Sequence, residues 1–200
     1  MILATHLIFT ADGFWLPNDP RGSWSEFVAS WELLLAGGKA TKVNTRASVA
    51  ARPHDHAARM RAKQALQFPP VSFTGIQARE IGQGFSAAAA KSGYVVYACA
   101  ILPEHVHMVV RRHDRDSKRI MGHLKHDASM ALYRAKLHPF DGLLRPGGQA
   151  VSCWAEKGWS VYLDTPEAVH TAIAYVVRNP EKEGKPLQNW SFVKPYSPFW

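Results

Sequence analysis

His105 and His107 stand two residues apart in HVHMVV, a run rich in β-branched and apolar residues. Side chains alternate across a strand, so both imidazoles project from one face, while Val106 and the Met108, Val109, Val110 run supply buried neighbours. Two ring nitrogens on one face make a clip for a divalent ion; a strand that is merely half exposed has the same pattern. Two other chemistries can be weighed directly. A histidine-triad nucleotide hydrolase or transferase needs a third histidine two residues on, and position 109 is Val. A hydrolytic zinc site needs a further His, Cys or carboxylate aimed at the same point, for which Glu104 and Asp114 are candidates. A second HxH pair, His54 and His56, sits among Ala, Arg and Asp without strand character and is set aside as a site.

The second candidate group lies near the C-terminus, in TPEAVHTAIAYVVRNPEKEG. Tyr175 and Asn179 are four residues apart and share one face of the expected helix, so a phenol nucleophile and an amide ligand can work side by side. The alternative is an aromatic in an apolar stripe with Ile173 and Val176, followed by an asparagine that merely precedes Pro180.

The elements that must hold these residues follow from periodicity and turn signals. THLIFT alternates as a first strand and runs into the turn-rich block ADGFWLPNDPRGSW. Residues 37–70 are basic, alanine-rich and poorly periodic apart from a short helix at 56–66, and are expected to form a peripheral insertion. AREIGQGFSAAAAKSG carries Ile81, Phe85 and Ala88 or Ala89 at helical spacing and stops at Gly93. YVVYACAILP and HVHMVVRR should pair as an antiparallel hairpin at the sheet centre. DSKRIMGHLKHDASMALYRAK places Ile120, Leu124, Ala128 and Leu132 on one face and Lys118, Lys125 and Arg134 mostly away from it. GWSVYLD is a short strand, and the last helix starts at Thr165 and Pro166 and closes near Pro180. The order β-α-β-β-α-β-α predicts an α+β fold, an antiparallel sheet with helices packed on one face, in a sandwich of ferredoxin-like character.

The whole chain, 200 residues with 46% hydrophobic and 20% charged content, suits a single compact domain with a real core. A net charge of +8 is the balance expected of a chain that meets a polyphosphate. Cys99 and Cys153 lie far apart in apolar settings and read as core residues, which excludes a disulfide framework and a CxxC metal site. The longest apolar run, Tyr94 to Pro103, is too short for a bilayer span, and MILATHLIFT reads as a strand and not as a secretory signal. No membrane contact and a cytoplasmic location are expected.

AILPEHVHMVV and AIAYVVRNPEKEG resemble the HUH motif and the tyrosine helix of single-tyrosine transposases, above all the REP-associated tyrosine transposases of bacteria. LATHLIFTADGFWLPNDPRGSW, PPVSFTGIQAREI, CWAEKGWSVYLD and WSFVKPY are similar to further blocks of that group, so the likeness spans most of the chain outside the insertion. Glu104 stands where the family often has Asn, and Arg178 where it often has an apolar residue or His; neither departure removes a ligand.

The resemblance implies an HUH nuclease-type sandwich in which His105, His107 and Asn179 hold a divalent metal, Mg²⁺ or Mn²⁺, and Tyr175 is the nucleophile. It implies nicking and strand transfer of single-stranded or hairpin-bearing DNA through a 5′-phosphotyrosine intermediate, by a monomer in preference to a homodimer. Lys125, Arg111 and Arg112 are the expected phosphate contacts. Trp15, Asp19 and Arg21 would read or stack bases, or else brace their own loop. Glu104 and His170 are the candidate bases for the phenol. Two other functions fit the same residues: a domesticated hairpin-DNA binder with little turnover, and a zinc-dependent hydrolase without a covalent step.

Overall fold

The alternating apolar residues of ATHLIFTA form β1 (Ala4–Ala11) in a computed structural model that describes residues 1–45 and 49–197. The chain divides into two compact units, Met1–Ala11 with Ser72–Trp200, and Asp12–Val71.

In the first unit β1 is followed by α3 (Gly75–Ser92), β2 (Val96–Ile101), β3 (His105–Arg111), α4 (Ser117–Arg134), β4 (Trp154–Leu163) and α5 (Pro166–Lys182); α1 and α2 belong to the second unit. Among the described residues the sheet has four strands in the order β2-β3-β1-β4, each antiparallel to its neighbours. The expected α+β class and ferredoxin-like strand sequence are therefore present. The β2–β3 hairpin is not the sheet centre, because β1 inserts beside β3 and leaves β2 at the edge. That edge is covered from the C-terminal segment: Gln188 Oε1 accepts from Ile101 N at 2.8 Å, its Nε2 donates to Ile101 O at 2.7 Å, and Lys194 N donates to Val96 O at 2.7 Å.

Leu7 and Phe9 point to one side of β1 and meet α3 and α4, with Phe9 against Phe85 at 5.9 Å between ring centroids. The two helices close on each other through Gly84, where a Cβ would lie 2.5 Å from the Ala128 Cα, so only glycine permits the approach. Thr74 and Gln77 form a capping box at the start of α3, and Gly93 ends it in the left-handed region at φ 71°. Ala4 and His6 point to the opposite side. There Val169, Ala172 and Val176 of α5 pack on Ala4, Ala98, Ala100, Val109 and Leu163. The expectation of helices on one face thus holds for α3 and α4 and fails for α5, whose apolar stripe packs on the apolar residues of the second face of the sheet.

The second unit contains α1 (Trp31–Gly37) and α2 (His56–Gln64), capped by the side chains of Ser30 and Asp55 and joined through Leu33, Ala62 and Leu16. It begins at Asp12, so it takes in the WLPNDPRGSW block as well as the basic stretch. Cys99 and Cys153 are buried thiols, and no helix among the described residues is long and apolar enough to cross a membrane.

Candidate active site

Strand register places three imidazoles together on the α5 side of the sheet. His105 and His107 alternate with buried Val106 and Met108 on β3, and the antiparallel register sets Ile8 opposite His107, which brings His6 diagonally beside it. His6 Nε2 and His107 Nδ1 are in hydrogen-bond contact at 3.0 Å, and the His105 and His107 ring centroids are 5.0 Å apart. Burial pushes His6 and His105 from 6.5 down to about 4. His107 falls to about 2, through burial first and then the nearby charges of His105, His6 and Lys182. All three rings are neutral near pH 7 and keep a lone pair, the form that ligates a metal.

The phenol arrives from α5. Thr165 caps the helix by accepting from Ala168 N, and Pro166 fixes the first turn. The buried stripe of Val169, Ala172, Val176 and Asn179 then sets the rotation of the helix. Tyr175, at the margin of that stripe, is 42% exposed and is no core aromatic. Its ring lies edge-on to His107 at 5.4 Å and to His6 at 5.9 Å. Asn179 is only 5% exposed, one turn further along. Tyr175, His105 and His107 are therefore gathered on one face of the first unit, and Asn179 is buried one turn further along α5.

Three residues at this centre carried no expectation from sequence. His6 lies in an apolar alternating strand and its partner is 101 residues away, so nothing local marks it. Lys182 stands over the Tyr175 ring at 4.3 Å, within a turn of the asparagine-proline pair. Glu183 places Oε1 3.7 Å from His105 Nε2, beyond hydrogen-bond length. Burial, with Glu104 nearby, raises the Glu183 carboxyl, partly offset by Lys185. His105 being neutral, this contact is not an ion pair at neutral pH. Of the candidate bases, His170 packs against Tyr196 at 5.1 Å.

The donor set fits a divalent cation: two neutral imidazoles on one face, with a buried amide on the helix that faces them. No group of three or more His, Cys, Asp or Glu among the described residues could hold a metal ion, so neither Glu104 nor Asp114 completes a zinc site with the histidines, and His54 and His56 form none.

The expected DNA contacts divide. Arg111 and Arg112 are exposed at the far end of β3. Lys125 is not a free phosphate contact: its Nζ donates to the carbonyls of Ala155, Glu156 and Lys157 at 2.7, 3.2 and 3.2 Å. Burial lowers its ammonium to about 8, partly opposed by Glu156. In the second unit Asp19 and Arg21 are 1% and 6% exposed and pair through two 2.8 Å hydrogen bonds, with Arg59 3.4 Å from the same carboxylate. Burial opposes the Asp19 charge, yet Arg21 and Arg59 hold its carboxyl below the usual range. The Arg21 guanidinium covers the Trp15 ring at 3.8 Å, and Trp15 Nε1 donates to Gly22 O. These three residues brace their loop.

No family model matches the chain, and no curated protein matches its sequence. Among solved structures it is similar to one described as a REP-associated tyrosine transposase bound to a REP hairpin, at a TM-score of 0.47 and 11% identity, over 91% of this chain and 68% of that one.

Proposed function

We propose that this protein is a metal-dependent nickase and strand transferase of single-stranded, hairpin-bearing DNA, working in the cytoplasm as a monomer through a 5′-phosphotyrosine intermediate. One observation carries the reading: a half-exposed phenol, Tyr175, lies against two neutral imidazoles on the face that also presents His105. An aromatic needed only for packing would be buried in the α5 stripe, where Val176 already sits.

His105, His107 and Asn179 are the residues that would hold Mg²⁺ or Mn²⁺. When bound, the cation would polarise the scissile phosphate and offset the charge that develops during in-line displacement. Tyr175 loses its proton and its oxygen attacks phosphorus; the Tyr–O–P bond forms as the bond to the 3′-oxygen breaks, and that oxygen leaves as a hydroxyl. A free 3′-hydroxyl reverses these changes and restores the phenol, so the phosphodiester energy is kept in the protein–DNA link. Lys182 offers a positive charge to a phosphate held at Tyr175, and Arg111 and Arg112 extend the basic track beyond the site.

The test is to incubate labelled hairpin-bearing single strands with protein and Mg²⁺ or Mn²⁺ and resolve them under denaturing conditions. A denaturant-resistant adduct is expected for wild type and none for Tyr175→Phe. Cleavage that survives Tyr175→Phe would favour a hydrolase, and tight hairpin binding without cleavage a domesticated binder.

A further inference from the structure

The buried contact between His6 and His107 joins two rings that are 8% and 6% exposed. Each neutral imidazole has one N–H and one lone pair, so across the 3.0 Å contact one ring donates and the other accepts. Only two arrangements exist. If His107 Nδ1 is the acceptor, His107 carries its proton on Nε2 and has no lone pair left for a cation. If His107 Nδ1 is the donor, Nε2 is bare and His6 carries its own proton on Nδ1. A histidine left to itself in water favours the Nε2–H form, so a ligating His107 needs a partner that selects the other one.

We propose that His6 is the positioning residue that sets the tautomer of His107: His6 Nε2 accepts the His107 Nδ1 proton, so that His107 presents an unprotonated Nε2 to the cation. The β-sheet register fixes the pair, since His6 and His107 sit on neighbouring strands of one face, with Ile8 rather than His6 directly opposite His107 in the ladder. Tyr175 closes over both rings, at 5.9 Å from His6 and 5.4 Å from His107, and hinders either from turning out of the contact. The role rests on the function proposed above, because the cation is what makes the bare nitrogen useful.

Two measurements on the whole chain test it. In metal-free protein near neutral pH, long-range ¹H–¹⁵N correlation spectra report which ring nitrogen of His107 carries the proton; the expected result is Nδ1. Mn²⁺ titration followed by electron paramagnetic resonance compares wild type with His6→Phe, which keeps a ring but removes the acceptor, and His6→Gln, whose amide oxygen can accept in place of Nε2. His6→Phe should weaken Mn²⁺ binding about 10–100-fold, and His6→Gln should recover most of it. A proton on His107 Nε2 in wild type overturns the inference, as does unchanged Mn²⁺ affinity in His6→Phe. If His6→Phe fails to fold, the wild-type spectrum and His6→Gln still decide the matter. If wild type binds no Mn²⁺, the metal-dependent reading falls, while the His107 spectrum still judges the part assigned to His6.

Discussion

Tyr175 on α5 and His107 on β3 meet edge to face, 5.4 Å between ring centroids at an interplanar angle of 80°, within a single chain. The approach comes from two independent packings: β3 is fixed beside β1, and α5 is fixed by Val169, Ala172 and Val176 on the same sheet face. Tyr175 and His107 therefore meet without a second copy of the chain.

A mixing experiment follows from that arrangement. Tyr175→Phe and His107→Ala, each inactive alone, should stay inactive when combined, because no intact site can be assembled by pairing them. Recovery of adduct in the mixture to a substantial fraction of the wild-type level would mean that sites are shared between subunits.

Acid should unfold the protein earlier than an ordinary carboxylate balance would. His6 and His105 fall from 6.5 to about 4 and His107 to about 2 in the fold, whereas the unfolded chain titrates near 6.5. Between those values the unfolded state binds more protons than the native one, so stability rises with pH. It is complete above about 6.5 and is lost as pH falls toward about 4. Urea unfolding across that window should show a falling midpoint in wild type and a visibly shallower fall in His6→Gln.

Lys125 and the Arg111–Arg112 pair should separate stability from DNA affinity. Lys125→Met removes the donor from three backbone carbonyls and should cost about 1–3 kcal/mol of stability while leaving the salt dependence of DNA binding unchanged. Arg111→Ala and Arg112→Ala should each lower the slope of log affinity against log salt by about 1, with little change in thermal midpoint. Fluorescence anisotropy over a salt series, alongside thermal melts, distinguishes the two patterns.

Much of the first unit was legible because its signals are local. The alternation of THLIFT, the Ile81–Phe85–Ala88 spacing ended by Gly93, and Thr165–Pro166 before the last helix each specify an element without outside help. The same holds for the histidine pair and for Tyr175 with Asn179, whose spacings fix shared faces. What escaped depends on contacts distant in sequence. His6 acquires meaning only from His107, and Lys125, which by helical spacing points away from the apolar face, is drawn down by the carbonyls at the start of β4. The place of α5 is also non-local: its stripe says that a face is buried, and only its contacts with Ala4, Ala98 and Val109 say which side of the sheet receives it. α1 had a local signal, Ser30 accepting from Leu33 N, but its seven residues are too few to show a clear period.

The central claim is that the Tyr175 oxygen, and no other, takes the phosphate. Tyr162 on β4 supplies the sharpest control, being 57% exposed against 42% for Tyr175 and lying in the same tryptic fragment, 158–178. Mass spectrometry of the nuclease-trimmed adduct, with fragmentation across that peptide, should place the nucleotide remnant on Tyr175 alone. A remnant on Tyr162 or on a residue outside the fragment, or strand cleavage with no remnant on the protein, would contradict it.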